Sequence, residues 1–267
     1  MQKKKIKLSI ALAVKNEEKN LELCIRSIVD IADEIVVVDG GSTDRTVDIA
    51  RQYGASVIET DNPPIFHINK QKALDMCHGE WILQLDADEV VTETLKKEIL
   101  EVISDGLNGY ALPRKNFFLG HWLRKGGQYP DYVIRLVKKG KAYFPCKSVH
   151  EQIAVEGKVG YLKEPLLHYS YKNISEYWRK ADAYTTLTAR ELLDKRISTG
   201  LIQWGTYMVV KPIQTFFSLY IRHKGFIDRI NGLLFAFFSA LHYPIAYLKL
   251  KKLRTFQKHR LARQYEE

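Results

Sequence analysis

Short apolar runs alternate along the N-terminal part of the chain with stretches in which apolar residues recur every three or four positions. The runs are Lys7 to Val14 (KLSIALAV), Glu34 to Asp39 (EIVVVD), Ala55 to Glu59 and Trp81 to Leu85 (WILQL). They lack turn residues and are largely apolar at consecutive positions, which predicts strands buried on both faces. Between them, Leu21, Cys24, Ile25 and Ile28 fall at helical spacing. Ser42 or Thr43 is placed to cap a helix running to about Tyr53, with Gly54 as its stop. Asn69 to His78 reads as a further helix ended by Gly79, and Thr92-Glu93-Thr94-Leu95 opens another. Repeated strand–helix alternation predicts an α/β fold, a mostly parallel, doubly wound sheet with right-handed crossovers.

From Gly109 the pattern changes. Tyr110 to Phe118, Tyr132 to Val137, Lys141 to Phe144 and Val149 to Val155 are β-type runs joined by turns such as Lys138-Lys139-Gly140-Lys141, an α+β half of the kind that carries a second substrate. Asn173 to Arg196 is amphipathic with a helical period. Gly200 to Ile221 and Gly232 to Leu248 are rich in Phe, Tyr, Leu and Ile, but Lys211-Pro212 breaks the first, and the second, of 17 residues, contains His242 and Pro244. A membrane span needs about 20 apolar residues, so neither meets that length cleanly. With Arg222, His223, Lys224, Asp228 and Arg229 between them, and Trp204 and several tyrosines near the ends, they predict helices lying in a membrane interface. A packed helical subdomain with a solvated basic tail and a re-entrant hairpin are the alternatives. The expected division is a first domain over residues 1–170 and a helical, amphipathic, basic and membrane-associated region over residues 171–267.

Composition narrows this picture in three ways. The apolar fraction of 46% supports a sizeable core. Three cysteines without paired spacing argue against a disulfide scaffold or zinc module and for a reducing compartment. The net charge of +10 is uneven: Lys249, Lys251, Lys252, Arg254, Lys258, Arg260 and Arg263 supply most of it, with no acidic residue among them. The basic first residues lead into a run interrupted by Lys15, Asn16, Glu17 and Glu18, so a first strand is expected there and not a signal peptide.

The candidate chemistry lies where the strands end. Trp81 to Leu85 runs into Asp86-Ala87-Asp88-Glu89, three carboxylates that repel one another unless a cation sits among them. Asn16-Glu17 follows the first strand and Asp39 ends the second, on the same predicted edge, where open α/β sheets bind ligands. Buried uncompensated, such a set is costly. It suits a nucleotide, with Asp39 accepting from a base or ribose and Asp86/Asp88 holding a divalent ion against a diphosphate. The G-x-G-x-x-G fingerprint and the P-loop are both missing, which argues against nicotinamide, flavin and P-loop enzymes.

Val14-Lys15-Asn16-Glu17-Glu18, Val37 to Asp44 (VVDGGSTD) and Leu85 to Glu89 (LDADE) resemble, in order and spacing, the successive motifs of family 2 glycosyltransferases, over about Ile6 to Val155. With Tyr129-Pro130-Asp131, Arg135-Leu136 and Val149-His150-Glu151 downstream, the chain is similar to the bacterial branch containing lipopolysaccharide core β-glucosyltransferases. The resemblance implies a GT-A fold and an inverting, metal-dependent (Mn²⁺ or Mg²⁺) transfer from a nucleotide sugar, a UDP-sugar, to a lipid-linked or envelope glycan. It assigns Asn16, Glu17 and Asp39 to the nucleoside, Lys70 or Lys72 to the diphosphate, Asp86 to ribose and metal, and Asp88 to the metal. His150 joins the metal site or touches phosphate, or serves a structural role at a strand end. The sequence lacks the Glu-Asp pair that marks the base in many relatives, leaving Asp131 and Glu151 as candidates, with a plain turn role for Asp131 as the alternative. The implied location is the cytoplasmic face of the inner membrane, peripheral or monotopic, on anionic lipid and without nucleic acid. Competing functions are a polyprenyl-phosphate sugar synthase of the same fold, a nucleotidyltransferase, which needs a Gly-rich N-terminal loop that Lys15-Asn16-Glu17 does not provide, and a non-enzymatic basic module.

Overall fold

The computed structural model describes residues 6–63, 65–104, 106–146 and 152–264. The first half alternates as its pattern predicts: β1 Leu8–Val14, α1 Leu21–Arg26, β2 Glu34–Asp39, α2 Thr46–Gln52, β3 Ser56–Glu59, α3 His67–Met76 and β4 Trp81–Leu85. Then follow β5 Glu89–Val91, α4 Glu93–Val102, β6 Gly109–Phe118, β7 His121–Trp122, β8 Asp131–Lys138, β9 Ala142–Tyr143, β10 Ala154–Val155, β11 Val159–Tyr161 and β12 Leu166–Tyr171. The C-terminal elements are α5 Ile174–Asp194, α6 Leu201–Gly205, α7 Lys211–Phe217 and α8 Arg229–Gln264.

Strand order in the main sheet is β3-β2-β1-β4-β8-β6-β12-β5, with β7 and β11 also pairing β6. The apolar runs supply its parallel half: β1 lies between β2 and β4, with Ala11 opposite both Val36 and Gln84. The β-type runs supply its antiparallel half, Leu83 of β4 facing Leu136 of β8, and Arg114 of β6 facing Asp131. Every residue of β4 is buried. Leu21, Cys24, Ile25 and Ile28, the predicted helix face, are all 0% exposed. Fully burying an aliphatic side chain contributes about 1.5–3 kcal/mol. A helix of only 6 residues such as α1 is therefore held by this face and not by its intrinsic propensity.

Several expectations are corrected by longer-range contacts. Neither Ser42 nor Thr43 caps α2: its N-cap residue is Arg45, with no side-chain cap bond, and one residue earlier Asp44 accepts from the Thr46 amide at 3.0 Å and from the Thr46 hydroxyl. Glu89 begins a short strand, β5, which pairs with β12. Lys211-Pro212 does not break its helix. Pro212 sits in the first turn of α7, where a missing N–H costs least, and π-helical turns at Thr206–Val210 and Ser218–Arg222 absorb the irregularity. Pro244 lies inside α8 without ending it. Through that continuity, the helical stretch Gly225–Gln257 becomes long and apolar enough, by length and composition, to cross a membrane.

The chain forms two compact units: Met1–Lys115 with Pro130–Tyr169, and Asn116–Tyr129 with Ser170–Glu267. In the second, Phe118, Leu123 and Tyr177 pack with Phe235 and Phe238, while Ala189, Leu192, Tyr207, Tyr247 and Leu250 form a further cluster.

Candidate active site

All the described candidate residues lie in the first unit, at the C-terminal ends of β1, β2 and β4 and on the elements beside them. The loops after β1 and β2 are sewn together. Asn16 adopts a left-handed backbone (φ 53), which Asn tolerates better than most residues, and so aims its amide at the Ser42 hydroxyl (2.8 Å). Its side-chain oxygen accepts from the Thr43 amide at 2.8 Å. The Glu17 amide donates to Thr46 Oγ1 at 2.8 Å, and the Glu17 carboxylate accepts from Asn20 Nδ2 at 2.7 Å. Asp39 is buried, and its carboxylate accepts from the amides of Gly41 (3.0 Å) and Ser42 (2.8 Å) and from the Ser42 hydroxyl. That turn needs the positive φ (+78) of Gly41. The three residues expected to hold the nucleoside therefore also fix the shape of its loop.

At the end of β4 the carboxylates diverge. Asp86 is gripped by Lys70 Nζ at 2.5 Å and Arg135 Nη2 at 2.5 Å. Burial pushes its carboxyl up, but Arg135 and then Lys70 outweigh burial and hold it well below the usual carboxylate range. Glu89, 0% exposed, accepts from the Asp86 amide (2.9 Å), from Arg135 (2.7 Å) and from Arg114 (3.4 Å). Asp131 receives the Arg114 fork on one oxygen, at 3.0 and 2.7 Å. Three carboxylates, Asp86, Glu89 and Asp131, thus meet three cations, Lys70, Arg114 and Arg135. Burial alone would lower the Arg135 pKa, but Asp86 and Glu89 raise it above its ordinary value, so it stays charged.

Asp88 takes a different neighbour. Its Oδ1 lies 3.5 Å from His168 Nε2, and its carbonyl accepts from the Tyr169 amide, which places β12 beside the motif. One carboxylate oxygen and one imidazole nitrogen suit a divalent ion that takes its other ligands from phosphate oxygens and water. No group of three or more His, Cys, Asp or Glu able to hold a metal occurs among the described residues. Of the two candidate lysines, Lys70 reaches Asp86, whereas Lys72 donates to Thr60 Oγ1 at 3.1 Å. His150 and Glu151 lie outside the described residues.

Glu89, Arg114, Arg135 and His168 are the members of this site to which sequence reasoning gave no role. A signal existed: Gln84 and Arg135 each interrupt an apolar strand, and Arg135 Nη1 donates to Gln84 Oε1. Buried polar groups in adjacent strands must find each other.

The model of "Glycosyl transferase family 2" matches residues 9–169, the span that contains every group just described. The chain belongs to glycosyltransferase family 2. The lipopolysaccharide core biosynthesis glycosyltransferase LpsC of Rhizobium meliloti is 31% identical over 260 residues, covering 88% of this chain and 91% of that protein. An uncharacterized glycosyltransferase of Rickettsia typhi is 28% identical, covering 93% and 87%. Among solved structures, S. aureus TarS 1–349 in complex with UDP superposes with a TM-score of 0.50 at 16% identity, covering 94% of this chain and 92% of that one. At that identity the likeness concerns the fold, and the family's GT-A architecture is the one observed: a curled, mostly parallel sheet extended by antiparallel strands.

Proposed function

We propose that the protein is an inverting, metal-dependent glycosyltransferase that moves a sugar from a uridine nucleotide donor to a lipid-linked or cell-envelope glycan, of which lipopolysaccharide core is the model. The observation that carries the reading is the split of the carboxylates after β4: Asp86 is neutralised by Lys70 and Arg135, while Asp88 faces His168. The loops carrying Asn16, Glu17 and Asp39 would receive the nucleoside, and Lys70, close to Asp86, would meet the diphosphate. Asp88 and His168 would hold the divalent ion, with His150 as a further ligand or phosphate contact. Held there, such an ion neutralises the charge that develops on the diphosphate leaving group.

Inversion requires a carboxylate to take the proton of the acceptor hydroxyl as that oxygen attacks the anomeric carbon from the face opposite the diphosphate. Asp131 and Glu151 are the candidates. Arg114 fixes the orientation of Asp131 through two bonds to one oxygen. The donor base follows TarS, solved with UDP and with UDP-GlcNAc, and the acceptor class follows LpsC. Contact with anionic lipid at the cytoplasmic face of the inner membrane is assigned to the C-terminal helices, whose apolar exposed residues and basic charge support it.

The test is hydrolysis of UDP-sugars without acceptor. Turnover is expected to need Mn²⁺ or Mg²⁺ and to fall about 10²- to 10³-fold in Asp88→Ala, a loss of the size seen when one transition-state charge contact is removed. Full turnover in Asp88→Ala, or in the presence of a chelator, would remove the metal role.

A further inference from the structure

The second unit contains a polar arrangement that the transfer reaction does not use. Between Lys195 and Gln264 the sequence has a single acidic residue, Asp228. It is 3% exposed and wholly engaged: Oδ1 accepts from the Arg124 amide (3.1 Å) and lies 3.2 Å from His121 Nε2, and Oδ2 accepts from the Lys125 amide (2.9 Å). The Gly126 amide donates to the His223 carbonyl at 2.9 Å. These bonds fasten the loop after β7 onto the turn that joins the two C-terminal apolar segments. The negative charge thus points inward, while the side chains of Arg124, Lys125, Arg222, Lys224 and Arg229 are exposed around the turn. At its tip Phe226 and Ile227 are each 47% exposed, and Ile230 is 60% exposed. Lys224 holds a left-handed backbone conformation (φ 57) and Arg229 a positive φ of 52, arrangements that bulky residues adopt only when the surrounding contacts impose them.

We propose that this tip, residues 221–230 with Arg124 and Lys125, docks on an anionic phospholipid bilayer, its apolar side chains entering the interface and its cations meeting lipid phosphates. The proposal rests on the membrane contact proposed above and deepens it by assigning the contacting surface. Exposed apolar residues ringed by cations, with no exposed acid in the segment, are complementary to an anionic lipid surface. The basic tail is a weaker candidate, because its first cation is consumed internally: Lys249 Nζ bonds the Asp182 carboxylate (2.7 Å), Thr185 (2.8 Å) and Thr186 (2.7 Å). The same packing opposes a span by α8. Tyr177 and Trp178 of α5 pack on Phe238, and Thr188 on His242, so a bilayer around α8 would also take in the charged residues Glu176, Arg179, Asp182 and Arg190 of α5. Charges held in hydrocarbon are costly. Monotopic docking leaves them in water.

The experiment is flotation of the full chain with phosphatidylcholine vesicles, with and without about one third phosphatidylglycerol. Wild type is expected to float with the anionic vesicles and not with the neutral ones. Phe226→Ser/Ile227→Ser and Lys125→Gln/Arg222→Gln are each expected to lower partitioning at least tenfold, at about fivefold per cation removed, while Lys251→Gln/Lys252→Gln in the tail costs less than either. Nucleotide-sugar hydrolysis in solution is expected to persist in all three variants, which separates loss of docking from loss of the enzyme. Amide exchange on the wild type, expected to slow over residues 221–230 when anionic vesicles are added, gives a readout free of substitutions. Unchanged flotation of the tip variants, or protection confined to the tail, overturns the assigned surface but leaves membrane contact standing. A wild-type chain indifferent to anionic vesicles overturns both.

Discussion

At the edge of β4 the energetics turn on Arg135, a guanidinium set in an apolar strand and shared between Asp86 and Glu89. A buried ion pair adds little over an apolar replacement of both partners, but removing one partner strands the other at about 3–5 kcal/mol. The grip of Arg135 and Lys70 also makes Asp86 a pH-dependent contributor. Its folded-state pKa lies below the unfolded value of about 3.9, so its contribution is complete above about pH 4 and is lost as the pH falls through the folded value. Urea unfolding below about pH 4 is expected to show wild type losing stability more steeply with acid than Asp86→Asn. Parallel losses in the two proteins would mean that Asp86 carries no linked proton. At this scale the sequence was half legible. Asp86, Asp88 and Asp39 announce themselves as charges ending apolar runs, whereas the partners of Asp86 and Glu89 sit 49 and 46 residues away and depend on how β8 registers against β4.

Among elements, the periodicities that predict β1, β2, β4 and α1 are those of segments whose apolar faces are buried in one core cluster. What the pattern misses is settled between elements. The hydroxyls of Ser42 and Thr43 are each near α2, yet Ser42 serves Asp39 and Asn16 while Thr43 binds the Asn16 side chain, so α2 starts at Arg45 without a side-chain cap and Asp44 bonds Thr46 in its first turn. Asp44 also accepts from the Glu18 amide at 3.2 Å, so it ties the two donor-side loops together. Asp44→Ala is expected to destabilise the protein by about 1 kcal/mol, the usual net worth of an intramolecular hydrogen bond, and to weaken nucleotide binding, whereas Ser42→Ala acts through Asp39 and not through α2. A thermal melt of Asp44→Ala at the wild-type midpoint would contradict the assignment. Pro212 misleads for the complementary reason: read locally it breaks a helix, but it falls in the first turn of α7 between π-helical turns that accommodate it.

For the whole molecule, the pattern changes near residue 170, and of the two compact units the second combines Asn116–Tyr129 with Ser170–Glu267. The shorter segment takes in the end of β6, β7 and the loop after it, and both Asp228 and the packing of Phe118 and Leu123 with Tyr177 tie it to the later part of the chain. The described residues proposed to hold the donor all lie in the first unit, so binding of the donor nucleotide is the claim most directly open to measurement. Calorimetric titration of UDP into the full chain, with and without Mn²⁺, is expected to show binding tightened at least tenfold by the metal in wild type. His168→Ala and Asp88→Asn are each expected to abolish most of that increment while retaining metal-free binding, because each removes a proposed ligand of the ion. Wild-type affinity indifferent to Mn²⁺, or an undiminished increment in both variants, would contradict the account.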